Sequence, residues 1–228
     1  EAGRQDGRGG LAPATIKHVV AVLHRAFRAA VEWGDIGLTA NPVDGATRTV
    51  RVESTPKQIW SAAQAVAFLA SCAERGDRFL GLWQVALGTG MRRGELVGLR
   101  WDAHVRLDEP KPHLIVRDTV VTVGYVAVAS VPKTNSGFRK VSLDPDLVVA
   151  LRAHRRRQLE EQMANRDVWH DTGFVFTTAE GVPLHPDAVR KPFVTACRHA
   201  GVPLIRFHDL RHTHATLGLA AGVDLKIM

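Results

Sequence analysis

What this 228-residue sequence has little of narrows the field first. It holds two cysteines, Cys72 and Cys197, far apart and without the C-x-x-C spacing of a redox or metal motif. A disulfide-held secreted scaffold is thereby excluded, and both thiols are expected to fill core space in a reducing compartment. Aromatic residues make up 6%, with Tyr125 the one tyrosine, too few for a platform on which successive single-stranded bases stack. No apolar run approaches the ~18 residues of a membrane span, and the first residues lack a charged-then-apolar signal pattern. The expectation is a cytoplasmic chain with no membrane partner. Acidic charge is in the minority, 23 Asp+Glu against 30 Lys+Arg, for a formal net charge of +7. Such an excess suits a polyanionic partner, although a basic soluble enzyme would carry it equally well.

What is present is enough to fold. Hydrophobic residues reach 45%, which excludes wholesale disorder. Residues 1–10 are rich in Gly and Arg and read as the cut end of a longer protein. From Pro13 to Trp33, Ile16, Val19, Leu23, Ala26, Phe27 and Ala30 recur at helical spacing, with Pro13 in the first turn and Gly34 as a stop. Asn41-Pro42 marks a turn, and the polar stretch from Asp44 to Lys57 reads as a linker. Ser61 with Gln64 forms a capping-box pattern for a helix through about Glu74. Asp77 opens another that stops at Gly88 and Gly90, and a short helix is expected over Glu95 to Leu99.

Between His113 and Leu143 the character changes to Val- and Thr-rich segments broken by Gly124 and Asn135-Ser136-Gly137, which predicts a small antiparallel sheet of hairpins. Asp144-Pro145 starts a long helix with Arg152, Arg155, Arg156 and Arg157 on its exposed face. Phe174–Thr177 reads as a short edge strand, and helices follow from about Pro186 to Ala200 and from His208 to Ala221. The fold class expected is mainly α with a small antiparallel β-sheet (α+β). Three domain segments are expected: 1–44 a partial helical domain, 45–57 a linker, 58–228 the main domain.

Three short segments concentrate charge where core or turn residues would otherwise stand. In Thr89-Gly90-Met91-Arg92-Arg93-Gly94-Glu95-Leu96, two arginines sit where one helix ends and another begins, with Glu95 within reach. Arginine is the side chain for a bidentate grip on phosphate, yet alone the segment fits a surface Arg–Glu pair as well. In Val131-Pro132-Lys133-Thr134-Asn135-Ser136-Gly137, a hairpin tip presents one lysine, either solubilising or a proton donor. In Phe207-His208-Asp209-Leu210-Arg211-His212-Thr213-His214, His208 and Arg211 share one helix face. His208 and His212 also have i, i+4 spacing, but no glutamate of H-E-x-x-H and no cysteine cluster accompanies them, so no metal site is expected.

The ordered set Arg92, Lys133, His208 and Arg211, with these flanking words, resembles the phage integrase or tyrosine recombinase family. T-G-M-R-R-G-E-L-V-G-L-R-W is similar to its first arginine box, P-K-T-N-S-G-F-R-K-V to its β-hairpin lysine, and H-D-L-R-H-T-H-A-T to its histidine-arginine box. The resemblance spans residue 11 to the end and implies site-specific DNA recombination without cofactor or metal. A tyrosine hydroxyl attacks a DNA phosphodiester, leaving a 3′-phosphotyrosyl link and a free 5′-hydroxyl, and a second 5′-hydroxyl reverses the step. By the same resemblance Arg92 and Arg211 would clamp non-bridging oxygens and Glu95 orient the first arginine. Lys133 would protonate the 5′-oxygen, and His208 assist proton transfer. Residues 1–44 would be the end of a helical core-binding domain. Arg48, Arg51, Lys57 and Arg93 would contact the backbone of double-stranded DNA, placing the chain at the nucleoid.

The family pattern continues past the histidine-arginine box to a glycine with His or Trp and then the nucleophile. Here the stretch begins at Gly222 and the sequence stops at Met228, while Tyr125 falls in the hairpin segment. The expectation is a chain that binds DNA but does not cleave it, monomeric where the complete protein would be a homotetramer on DNA. A naturally truncated, inactive DNA-binding relative, a type IB topoisomerase and a basic RNA- or protein-binding domain are the alternatives.

Overall fold

The structure, a computed structural model, describes residues 10–34, 37–45, 58–117, 119–123, 126–130 and 138–222. Lys133, Tyr125, Arg48, Arg51 and Lys57 lie outside the described residues. The chain divides into two units, Glu1–Pro56 and Lys57–Met228.

In the first unit, α1 runs over Pro13–Trp33, with proline in the first turn where its missing N–H costs nothing. It closes on Gly34, which adopts φ +73° and donates its N–H to Ala30 O. The turn at Asn41-Pro42 is held from within: Val43 N–H donates to Asn41 Oδ1 at 2.9 Å, and the Asn41 amide donates to His24 O at 2.9 Å. No residue of α1 is buried, so its apolar stripe, Ile16, Val19 and Leu23 included, stays open.

The second unit is built around α3 (Leu80–Thr89), which buries Leu82, Trp83, Val85, Ala86 and Thr89 and so turns almost every side inward. α2 (Ala62–Glu74) packs on it after the capping box of Ser61 and Gln64, in which both reciprocal hydrogen bonds form. α6 (Pro145–Ala164), capped by Asp144 accepting from Leu147 N–H at 2.7 Å, crosses α3 closely. A Cβ on Gly88 would lie 2.7 Å from Leu147 Cδ1, so only glycine permits that approach. α7 (Arg190–His199), entered through a 3₁₀ turn at Pro186–Val189, and α8 (Asp209–Ala220) complete the helical layer. Trp60, Phe68, Trp83, Phe193 and Phe207 meet with ring centroids 4.8 to 6.2 Å apart, and the Trp60 indole donates to Pro203 O at 2.8 Å. Cys72 and Cys197 belong to this core, where burial pushes their thiols up to about 11 and about 12.

The sheet departs from a simple run of hairpins. β1 (Val105–Arg106), which follows the short helix α5 (Trp101–His104), joins β2 (His113–Val116) and β5 (Arg139–Ser142) in one antiparallel sheet, and β3 (Thr119–Val123) and β4 (Val126–Ser130) form a separate two-stranded ribbon. β2 pairs across the intervening chain with β5, Val116 opposite Arg139, instead of with the next strand. Phe174 and Thr177 make single bridges, to Arg100 and Pro183, and no strand. On α6, Arg152 pairs with Asp108, Arg156 with Glu160, and Arg155 lies over the Trp101 ring. Arg157 turns inward to the carbonyls of Asp77 and Arg78, so it leaves the exposed face expected for it.

Candidate active site

The second unit brings two of the three charged segments to the end of α3. Gly90 ends that helix at φ +58° and reverses the chain. Met91 is buried, and Arg92 becomes the N-cap of α4 (Arg93–Val97) in extended conformation. Glu95, at the third position of α4, turns back so that its Oε2 accepts from Arg92 N–H at 2.8 Å, the carboxylate half of a capping box. Its Oε1 accepts from an Arg92 guanidinium nitrogen at 3.0 Å.

Glu95 is only 7% exposed, and a second arginine satisfies it. Arg139, the first residue of β5, donates to both oxygens at 3.0 and 2.7 Å. Burial alone would raise the Glu95 carboxyl, but these bonds and the adjacent positive charge outweigh it and hold the group below the usual carboxylate range. Arg139 was not among the site residues expected from sequence. It stands 44 positions from Glu95, and the only hint was that a buried glutamate beside one surface arginine lacks a full set of partners.

α8 supplies the other half. Asp209 opens it and is buried. It accepts from Arg206 N–H at 3.1 Å and from the Arg206 guanidinium at 2.9 and 2.8 Å, which fixes the preceding turn. That turn leaves His208 exposed as the N-cap and puts Arg211 one turn inside, where it donates to Gly90 O. His208 is held below its ordinary value by partial burial and by its neighbours His212, Arg211 and Arg206, with Asp209 opposing. Its two ring nitrogens can accept or donate a hydrogen bond. Arg211 is disfavoured as a cation by burial and by Arg92 and Arg139. A guanidinium does not give up its proton, so Arg92, Arg139 and Arg211 stand as three cations in one neighbourhood, two of them paired with Glu95.

Beside this cluster lies a cavity of about 800 Å³ walled by Arg92, Arg93, Arg190, Arg206 and His208 over Phe193, and none of its lining residues is acidic. Arg93 reaches it while pairing with Asp187 at 2.9 Å, so Arg92 and Arg93 face different partners. Arg190 and Arg206 were also not anticipated from sequence. Among the described residues no group of three His, Cys, Asp or Glu side chains is placed to hold a metal ion, and no helix is long and apolar enough to cross a membrane.

The model of the phage integrase family matches residues 57–228. A protein named tyrosine recombinase XerC-like from Caldanaerobacter subterraneus is 31% identical over 229 residues, 93% of this chain and 57% of the relative. The ICEBs1 integrase of Bacillus subtilis is 24% identical, over 94% of this chain and 56% of its own length. The chain thus spans little more than half the length of these relatives. Among solved structures, the Tn1549 transposon integrase in complex with transposon right end DNA superposes with a TM-score of 0.77 at 24% identity, covering 95% of this chain and 70% of that one. A lambda integrase dimer bound to a core site gives 0.60 at 18%, covering 94% and 70%.

Proposed function

The chain belongs to the phage integrase family, the tyrosine recombinases, and on that premise we propose that it is part of an enzyme of site-specific DNA recombination acting through a 3′-phosphotyrosyl intermediate. The observation that carries the reading is that Arg92 and Arg139 share the single carboxylate of Glu95 while Gly90 O, at the turn that delivers Arg92, holds Arg211. Such a site holds uncompensated positive charge in fixed positions before any substrate arrives. A phosphodiester relieves it, and the pentacoordinate state formed on attack, carrying more charge on its non-bridging oxygens, relieves it further.

In this reading Arg92 and Arg211 hold the two non-bridging oxygens, and loss of either costs roughly 10²–10³ in rate. His208, exposed beside the cavity, hydrogen-bonds the phosphate or relays a proton. Lys133 protonates the departing 5′-oxygen. As the bond from phosphorus to the tyrosine oxygen forms, the bond to the 5′-oxygen breaks. One phosphoester replaces another, and no external energy source enters. Arg48, Arg51, Lys57 and Arg93 make phosphate contacts along the duplex.

The 228 residues contain no tyrosine other than Tyr125, which we place in the hairpin segment and not in the chemistry. The chain as it stands is proposed to bind duplex DNA without forming a covalent adduct. Incubation with duplex followed by denaturing electrophoresis tests this, and a protein-linked DNA band would overturn it. Fluorescence anisotropy across 50 to 200 mM salt tests the phosphate site. Arg92→Ala and Arg211→Ala should each weaken duplex binding and flatten the log–log salt slope by about 0.9, the share of one phosphate contact. Unchanged affinity and slope in both variants would favour a partner other than DNA.

A further inference from the structure

We propose that Arg139 is a positioning residue for the phosphate site: by occupying both oxygens of Glu95 it keeps Arg92 presented to substrate instead of folded onto that carboxylate. The inference deepens the function proposed above and rests on Arg92 being a phosphate contact.

Glu95 receives four hydrogen bonds, two from each arginine, but the guanidinium share is unequal. Arg139 contributes two from its guanidinium, one to each oxygen, at 3.0 and 2.7 Å. Arg92 contributes its backbone N–H at 2.8 Å and a single guanidinium bond at 3.0 Å. A guanidinium carries five N–H donors, so one bond to Glu95 leaves the greater part of the Arg92 fork free. The exposures agree: the Arg92 side chain is 61% exposed, that of Arg139 29% and that of Glu95 8%. Arg139 neutralises a buried carboxylate, and Arg92 is steered by it while facing outward.

Taking Arg139 away leaves a buried carboxylate with half its partners missing. Arg92 is the cation already in contact, and its flexible side chain would rotate to replace the lost fork with its own, as Arg–carboxylate pairs prefer. The free edge of Arg92 would then be spent on Glu95. Arg139 can hold its place because it is anchored in the sheet, opposite Val116 of β2. With both terminal nitrogens turned to Glu95 and its side chain less than half as exposed as that of Arg92, it acts through Arg92 and not on the phosphate. Lysine at this position would supply charge without the fork and restore only part of the effect.

The test is duplex binding by the 228-residue chain, read by fluorescence anisotropy across a salt series, for Arg92→Ala, Arg139→Ala, the double variant and Arg139→Lys, with folding checked by circular dichroism. Arg92→Ala should weaken binding roughly tenfold, the size of one charged hydrogen bond, and flatten the salt slope by about 0.9. Arg139→Ala should do the same, the double variant no more than either single change, and Arg139→Lys should fall between Arg139→Ala and the unaltered chain. A purely structural role would lower the melting temperature and leave the slope alone, which overturns the proposal. Effects that multiply in the double variant also overturn it, because Arg139 would then be touching DNA independently. If Arg139→Ala does not fold, Arg139→Lys decides: affinity and slope equal to the unaltered chain would sink the idea. Arg92→Ala without effect would remove the underlying function and this inference with it, whereas an effect of Arg92→Ala beside a silent Arg139→Ala removes this inference alone.

Discussion

Replacing Gly90 by alanine should damage stability and phosphate binding together, and the structure gives the size of the effect. Gly90 sits at φ +58°, where an L-residue pays about 1 kcal/mol. Its new Cβ would also stand 2.6 Å from His214 Cδ2. That ring cannot swing away freely, because its Nδ1 is hydrogen-bonded to Leu87 O at 2.8 Å. Overpacking of this kind costs about 1–3 kcal/mol. The total, about 2–4 kcal/mol, corresponds to a fall of roughly 5–15 °C in the melting temperature of a unit this size. Because the Gly90 carbonyl holds Arg211 and the chain leaving Gly90 delivers Arg92, duplex affinity should fall in the same variant. Thermal and urea denaturation of Gly90→Ala, His214→Ala and the double variant separates the two terms. His214→Ala alone should cost about 1 kcal/mol for its hydrogen bond, and in the double variant the clash should vanish, giving a coupling of about 1–3 kcal/mol. Strict additivity, or a silent Gly90→Ala, would refute the reasoning.

Other consequences are open to measurement. Burial, aided by Arg157 and Arg78, pushes His154 down to about 4, while its bond to Val175 O opposes the shift. The unfolded chain therefore takes up this proton first. The stability it protects is whole above pH 6.5 and drains as pH falls toward 4, by about 2 kcal/mol between pH 6.5 and 5. His154→Gln should make that part of the denaturation profile shallower, and an unchanged slope would count against the assignment. Glu161 takes the Arg78 fork at 2.8 and 2.7 Å, so Glu161→Ala should cost about 1–3 kcal/mol in urea denaturation. Light scattering of the 228-residue chain should give a monomer mass, and a stable tetramer without DNA would contradict that proposal.

The elements with strong local signals were legible in the sequence. Helical spacing and the Pro13 and Gly34 signals mark the ends of α1, and Ser61 with Gln64 marks the start of α2. Proximity of Arg92 to Glu95 and of His208 to Arg211 follows from spacing within one turn, so those pairs could be expected. That the two pairs meet could not, because it depends on α8 packing against α3, a contact between segments more than a hundred residues apart. Arg139 was hidden for the same reason: its partner is 44 residues away, and its strand pairs with β2 across a ribbon that no local pattern sets apart. Arg157 shows the opposite error. A run of arginines on a helix suggests a solvated face, but helical rotation carries every third or fourth residue inward, and there the carbonyls of Asp77 and Arg78, just before α3, accept it.

The burial of α3 on nearly all sides has a consequence for how sequence change would register. Arg92 leaves the end of a rod, and the Gly90 carbonyl at that same end holds Arg211; the rod's Trp83 packs against Phe68, Phe193 and Phe207, and its Gly88 lies against Leu147. Interior volume therefore bears on the spacing of the two arginines proposed to hold a phosphate. A methyl group gained or lost at Val85 or Ala86 would move one jaw against the other by fractions of an ångström, well before it threatened the fold. Selection on the proposed chemistry would accordingly be written into apolar positions of the core as well.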